Sequence, residues 1–247
     1  MSFVHSPKII TEGLVLSLDA GNVKSYPGSG TVWTDKSGRG NNGTLTNGPT
    51  FNSSNGGSIV FDGVDDYVNC GTNSSTLLSS MTISSTFSFI SYSSGTYLVV
   101  SRLGGAPLFR HNYFFGLANF GSGTNFYFGF KESGTSAYPL VQINMSPVLN
   151  TIYNFTATYS PSTSVALYLN GQNQTITGPN TSTNPLITNQ IVDTDVTTNC
   201  SIGSGAPSQT LYYSNARIYS TQIYNRVLSA SEVLQNYNAT KSRFRLI

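Results

Sequence analysis

From Met81 to Phe89 the chain alternates, with Met81, Ile83, Ser85, Phe87 and Phe89 on one side and Thr82, Ser84, Thr86 and Ser88 on the other. Successive side chains of a β-strand point to opposite faces, so this period of two predicts a strand with a dry side and a hydroxyl side. The dry side of such a sheet has to be covered by a second layer. That requirement constrains the chain more than any other stretch does.

The same pattern recurs along most of the sequence. Leu14, Leu16 and Leu18 alternate with Val15, Ser17 and Asp19, which predicts a strand with one buried face. Residues 21–48 are rich in Gly, Ser and Asn around the lone Trp33 and read as loop with two short strands. Ser58–Gly63 and Val64–Val68 read as two strands joined at a glycine corner. Phe126, Phe128 and Phe130 share a face opposite Tyr127, and Phe without a polar handle belongs in a core. Ser164–Leu169 runs into Asn170-Gly171, the signal of a type I′ hairpin, so Gln172–Thr177 is the expected return strand. Residues 178–199 read as an extended loop, and Cys200–Gly203 reopens the sheet.

One helix closes the chain. Ser229 followed by Glu232 is a capping box, which starts a helix at about Ala230. Val233, Leu234 and Tyr237 fall on one side of it, and Lys241 and Arg243 sit near the end, where exposed carbonyls favour cations. Neither an internal repeat nor a linker divides the 247 residues. The expected fold is all-β: a single antiparallel jelly-roll β-sandwich with one short C-terminal helix. The expected division is an N-terminal arm at residues 1–10, a domain at 11–240 and a tail at 241–247.

Composition excludes several classes of function. Charged residues make up 9% of the chain, against about a quarter in ordinary domains, and net charge is +2. No strong field draws nucleic acid or acidic lipid to such a surface. Neither a signal-like apolar run after Met1 nor a stretch long enough to span a membrane is present. The product is therefore expected to be made in the cytoplasm without a signal peptide, with no membrane and no nucleic-acid partner. Two cysteines, Cys70 and Cys200, are too few for a disulfide scaffold and are expected as buried free thiols.

Three segments resemble the opening of a laminin-G-like domain of the concanavalin A-like lectin and glucanase superfamily. They are Gly13-Leu14-Val15-Leu16-x-Leu18-Asp19-Ala20, then Trp33-x-Asp35-x-Ser37-Gly38-x-Gly40-Asn41-x-Gly43-Thr44-Leu45, then Phe61-Asp62-Gly63-x-Asp65-Asp66-Tyr67-Val68. Leu167-Tyr168-Leu169-Asn170-Gly171 is similar to that family's central hairpin, and residues 224–238 to its closing strand and helix. The tail beyond resembles stand-alone versions in structural proteins of tailed bacteriophages. The resemblance implies two curved sheets, a concave face or loop rim that binds glycans or proteins, and calcium in some members. It further implies a virion component of decoration or fibre type, docked on other virion proteins through its termini, or else an adhesin module contacting host-surface glycan. Where many relatives carry an acidic pair, this chain has Ser220-Thr221, which weakens a calcium site. Where they often carry Trp, it has Phe87-Ser88-Phe89.

The residues do not point to an enzyme. Glycoside hydrolysis needs two facing carboxyl groups, and the three glutamates, Glu12, Glu132 and Glu232, are isolated from other acids. His5 and His111 lie in no nucleophile motif. No cofactor is expected, and calcium is the one metal left open. The acids that come close in sequence are Asp62, Asp65 and Asp66 at the glycine corner, and Asp193 with Asp195; turn hydrogen bonding explains the corner without a metal. Tyr92, Tyr138 and Tyr213 are the candidates for stacking on sugar. Either the arm at 1–10 or the sticky tail Arg243, Phe244, Arg245, Leu246 and Ile247 is expected to pack on a neighbouring subunit.

Overall fold

The computed structural model describes residues 7–76, 78–93, 95–103, 111–119, 123–130, 140–161, 163–177, 198–205 and 212–246. Its strands are β1 (Leu14–Asp19), β2 (Val32–Trp33), β3 (Gly43–Thr46), β4 (Thr50–Asn52), β5 (Ser58–Asp62), β6 (Tyr67–Asn69), β7 (Met81–Phe89) and β8 (Thr96–Leu103). They continue as β9 (His111–Asn119), β10 (Thr124–Phe130), β11 (Leu140–Ile143), β12 (Tyr153–Ser160), β13 (Ser164–Leu169), β14 (Gln172–Asn173), β15 (Cys200–Ile202) and β16 (Asn215–Tyr224). Helix α1 covers Ala230–Phe244.

The strands form two antiparallel sheets of eight. One runs β14-β13-β12-β7-β16-β5-β4 with β1 also on β16, and the other β11-β10-β9-β8-β15-β6-β3-β2. This is the expected jelly-roll sandwich. Phe87 and Phe155 from the first sheet meet Phe115 and Phe126 from the second, with Phe115 stacked on Phe155 at 4.5 Å. Burying rings of this size across the two sheets is the main stabilising term of the fold.

β16 organises the first sheet. One edge pairs with β7, and the other pairs with β5 through Asn215–Ile218 and then with β1 through Ser220–Tyr224. A register shift between Ile218 and Ser220 makes the change of partner possible, because a bulge bends a strand and re-aims its side chains.

The hydroxyl side of β7 is not wet. All nine residues of the strand are buried, and so are the outward-facing Asn154, Thr156, Ser220 and Gln222. Thr156 donates to Ser84 Oγ at 2.7 Å, and Asn154 Nδ2 bonds Ser84 and Thr86. Thr82 donates to the carbonyl of Arg226 and accepts from the amide of Leu228. The segment entering α1 thus lies over this face, and short hydroxyls satisfy each other where long polar side chains would need water. β1 departs from expectation in the same way, since Val15 and Ser17 are buried as well.

The capping box is formed. Glu232 N donates to Ser229 Oγ and Ser229 N to Glu232 Oε2. Val233, Tyr224, Tyr168, Leu14 and Leu228 make a small core under the helix, on the outer face of the first sheet. Leu234 does not join them. It lies one residue, a hundred degrees of turn, away from the buried face, and Asn236 takes the inward place instead.

Both chain ends correct the expected boundaries. In the arm, Ile10 N donates to Asn236 Oδ1, Tyr224 OH donates to Ile10 O, and Ile9 and Ile10 pack on the helix core. At the other end Lys241–Phe244 are the last turn of α1, not tail. Phe244 is fully buried with its ring 5.5 Å from that of Tyr219, and Arg243 Nη1 lies 2.8 Å from Asp19 Oδ2. Arg245 ends the helix in a left-handed conformation, its amide bonded to Lys241 and Ser242 carbonyls. The helix end that was expected to serve a partner is therefore occupied within its own domain. Residues 1–6 and Ile247 lie outside the described residues.

The hairpin at Asn170-Gly171 is formed as expected, with φ of 50° and 75°. Its return strand is shorter than predicted, ending at Asn173, and Thr177 bridges instead to Gln142 in the other sheet. The expected loop at 178–199 lies largely outside the described residues.

Candidate functional site

Four segments meet at one end of the sandwich: Asn47-Gly48, Asp62–Asp66, Ile90–Ser93 and the approach to β16. The third is tied to the fourth, since Ile90 N donates to Asn215 O. At the centre is the acidic turn that follows β5. Gly63 has φ of 80°, and a side chain there would run into Asn215, so only glycine allows the chain to reverse this tightly. Asp62 Oδ1 accepts the amide of Val64 at 2.8 Å, and Asp66 Oδ2 accepts the amide of Asp62 at 3.0 Å. Asn47 Nδ2 donates to Asp65 O at 2.9 Å, fixing the turn against the neighbouring one.

This geometry brings one carboxylate oxygen each of Asp62, Asp65 and Asp66 within 4.8 Å of one another. Asp66 is only 5% exposed, and its pKa is raised, first by burial and further by the charges of Asp62 and Asp65 against the lowering effect of the Asp62 amide. Burial also raises the hydroxyl pKa of Tyr213, helped by Tyr67 and Asp65. Tyr213 and Tyr67 thus stand beside the acids. Tyr212, with φ of 71° and 41% exposed, lies away from them, its carbonyl accepting the Leu98 amide and its hydroxyl facing Tyr127 of β10.

The donor type here suits calcium, which takes six to eight oxygens. Asp62 Oδ1 and Asp66 Oδ2, however, already hold the turn's own amides. Turn hydrogen bonding accounts for the positions of Asp62 and Asp66.

The sequence candidates fall unevenly. Asp62, Asp65, Asp66 and Tyr213 converge, but Tyr213 is only 8% exposed and is not the open stacking ring expected. Tyr92 is half-buried at the same end, edge-on to Phe89, and donates to the carbonyl of Pro147. Its hydroxyl is therefore occupied. Tyr138, Asp193 and Asp195 lie outside the described residues. Glu232 is committed to its cap and to Arg226. Sequence reasoning missed Tyr67 at the rim, which could have been found as the aromatic directly after Asp65-Asp66.

Two surface pockets lie elsewhere. One of about 350 Å³ is lined by Tyr26, Phe51, Gly57 and Arg243, and one of about 300 Å³ by Arg39, Ser74, Ser75, Ser79 and Asn225.

The two-sheet sandwich, its closing helix and its rim of acids and tyrosines define a lectin-like jelly roll. A family model described as concanavalin A-like lectin/glucanases superfamily, of laminin-G type, matches residues 62–234. The chain belongs to that family. Among curated proteins no sequence matches significantly. The binding domain of Paraclostridial Mosquitocidal Protein 1 is similar, with a TM-score of 0.67 and 16% identity over 93% of this chain and 52% of that one. Domain 4 of AbnA, an extracellular arabinanase of Geobacillus stearothermophilus solved in complex with arabinotriose, gives 0.63 and 14% over 91% and 98%. Trypanosoma rangeli sialidase in complex with sialic acid gives 0.60 and 16% over 94% and 33%. The chain thus spans about half of the first structure and a third of the sialidase. At these identities the likeness is one of fold.

Proposed function

We propose that the protein is a non-enzymatic carbohydrate-binding module that engages a glycan at the rim formed by Asp62, Asp65 and Tyr67. The observation that carries this reading is the convergence of two exposed carboxylates, Asp62 and Asp65, with the partly exposed Tyr67 that directly follows the turn. Carboxylates accept hydrogen bonds from sugar hydroxyls, and a tyrosine ring stacks on the apolar face of a pyranose or furanose. The complex of the AbnA domain with arabinotriose supports it by analogy of fold. Asp62 and Asp66 each spend an oxygen on the turn, which favours binding over acid–base chemistry, and no cofactor is part of the proposal.

The virion setting belongs to the proposal as well: a module displayed on a bacteriophage particle and touching host-surface glycan. Its support is the terminal segment at residues 224–244 and what that segment resembles. Docking on other virion proteins through the termini enters in reduced form, since Ile9, Ile10 and Phe244 are engaged within the domain.

A glycan array tests the binding. Wild-type protein should retain a defined subset of glycans, Asp65→Asn should lose it while keeping the wild-type unfolding temperature, and Tyr67→Ala should lose it while still unfolding cooperatively. A blank array, or binding indifferent to both changes, refutes the rim. Probing purified particles with an antibody against the domain tests the setting.

A further inference from the structure

β6 and β15 are antiparallel, with Ser201 opposite Asn69 and Ile202 opposite Val68. One residue beyond this register Cys200 lies across from Cys70 and Gly71, where the ladder bulges. The Cys70 amide donates to Cys200 O at 2.8 Å, and the Cys200 amide to Gly71 O at 2.9 Å. Opposed residues in such a ladder have Cα atoms about 4.5–5.5 Å apart, within the span of about 4.4–6.8 Å that a disulfide bridges. Both side chains point into the core between the sheets, 3% and 0% exposed.

Two further groups converge on Cys200. Tyr113 OH donates to its sulfur at 3.6 Å. Arg102 is fully buried, held by the carbonyls of Asn73 at 3.1 Å and Thr72 at 3.3 Å and by the hydroxyl of Thr76. Its Nε has no hydrogen-bond partner, and no carboxylate among the described residues pairs with it. A guanidinium buried without an anion is costly. The groups around Cys200 favour its thiolate: the hydrogen bond from Cys70, then that from Tyr113 and the charge of Arg102, together outweigh burial. The hydrogen bond to Cys200 and burial hold Cys70 as the protonated thiol. A nucleophilic sulfur therefore faces a resolving one across two strands, beside a cation with no other anion.

We propose that Cys70 and Cys200 form a peroxide-responsive pair that closes into a cross-strand disulfide, with Cys200 reacting first. The Cys200 thiolate attacks one oxygen of a hydroperoxide. The O–O bond breaks, the alkoxide or hydroxide takes a proton and leaves, and Cys200 becomes a sulfenic acid. Cys70 then loses its proton and attacks Cys200 Sγ, and the S–O bond breaks to release water. Two thiols and one hydroperoxide thus give one disulfide, one alcohol or water, and one further water. A small oxidant reaches the pair when β15, only three residues long, opens locally. The closed bond staples β15 to β6 in the middle of the second sheet.

The test exposes the folded protein to hydrogen peroxide, then unfolds it in denaturant and counts thiols. Loss of both thiols, an intact mass lower by two hydrogens, a peptide joining Cys70 to Cys200 and an unfolding temperature raised by roughly 5–10 °C are the expected results. In Cys70→Ser the reaction should halt at a sulfenic acid on Cys200 that a dimedone probe traps. Two thiols still free after treatment, a bond between chains, or dimedone captured at Cys70 in the wild type overturns the proposal without recourse to any variant.

Discussion

Arg226 and Glu232 face each other as a two-pronged ion pair, Nη1 to Oε2 at 3.0 Å and Nη2 to Oε1 at 2.6 Å. Glu232 also accepts the amide of Ser229. One carboxylate therefore ties the end of β16 to the first turn of α1.

Glu232 should show itself in acid. The hydrogen bonds from Arg226 and then Ser229 push its pKa down from 4.5 to about 2. A depressed carboxylate contributes stability that is present above its unfolded value and lost as pH falls through the folded one. Glu232→Gln should cost about 1 kcal/mol at neutral pH, a partly exposed pair being screened by solvent. The gap to wild type should shrink between pH 4.5 and about 2 and vanish below. Urea melts across that range measure it, and a gap that persists in acid would mean the pair is not the cause.

Phe244→Ala should cost about 3–5 kcal/mol, as the removal of a fully buried ring does. Denaturant unfolding gives the figure. A change near zero would return Phe244 to the status of a free tail.

Gly171→Ala is expected to destabilise by about 1–3 kcal/mol. Its φ is 75°, and a methyl group would come within 2.9 Å of Tyr237 Cβ on the helix. Calorimetry on the variant decides it, and an unfolding temperature equal to wild type would show that hairpin and helix are not in contact.

At the acidic turn, Asp66 has a raised pKa, so its effect on stability is the reverse of that of Glu232. The favourable contribution is complete below the unfolded value and is lost as pH rises through the folded one. Asp66→Asn, which stays neutral, should be at least as stable as wild type at pH 7. Added calcium or a chelator should leave the wild-type melting temperature unchanged, and a calcium-dependent rise would reinstate a metal at this turn.

The fold could be read in the sequence because its signals are local. Alternation placed β1 and β7, Asn170-Gly171 placed the hairpin that β13 enters, and Ser229 with Glu232 placed the start of the helix. Burial of the outer face of β7 could not be read, because it depends on what a later segment covers, and a row of Ser and Thr looks alike wet or dry. The site was half legible: Asp62, Asp65 and Asp66 are neighbours in sequence, but their meeting with Tyr213 requires β5 and β16 to pair across more than 140 residues. Leu234 was misplaced by a single step of the helical period.

β16 is paired with β7 along one edge and with β5 and β1 along the other. A growing chain makes its first strand more than 190 residues before the partner of that strand exists. Until β16 emerges, β1 has no neighbour in its sheet, and β7 and β5 each carry a bare edge, the kind of surface that pairs with other chains. The order of synthesis therefore leaves this domain open until nearly its last residues, and a nascent chain stalled before Asn215 would be a candidate for aggregation, with no folded half to fall back on.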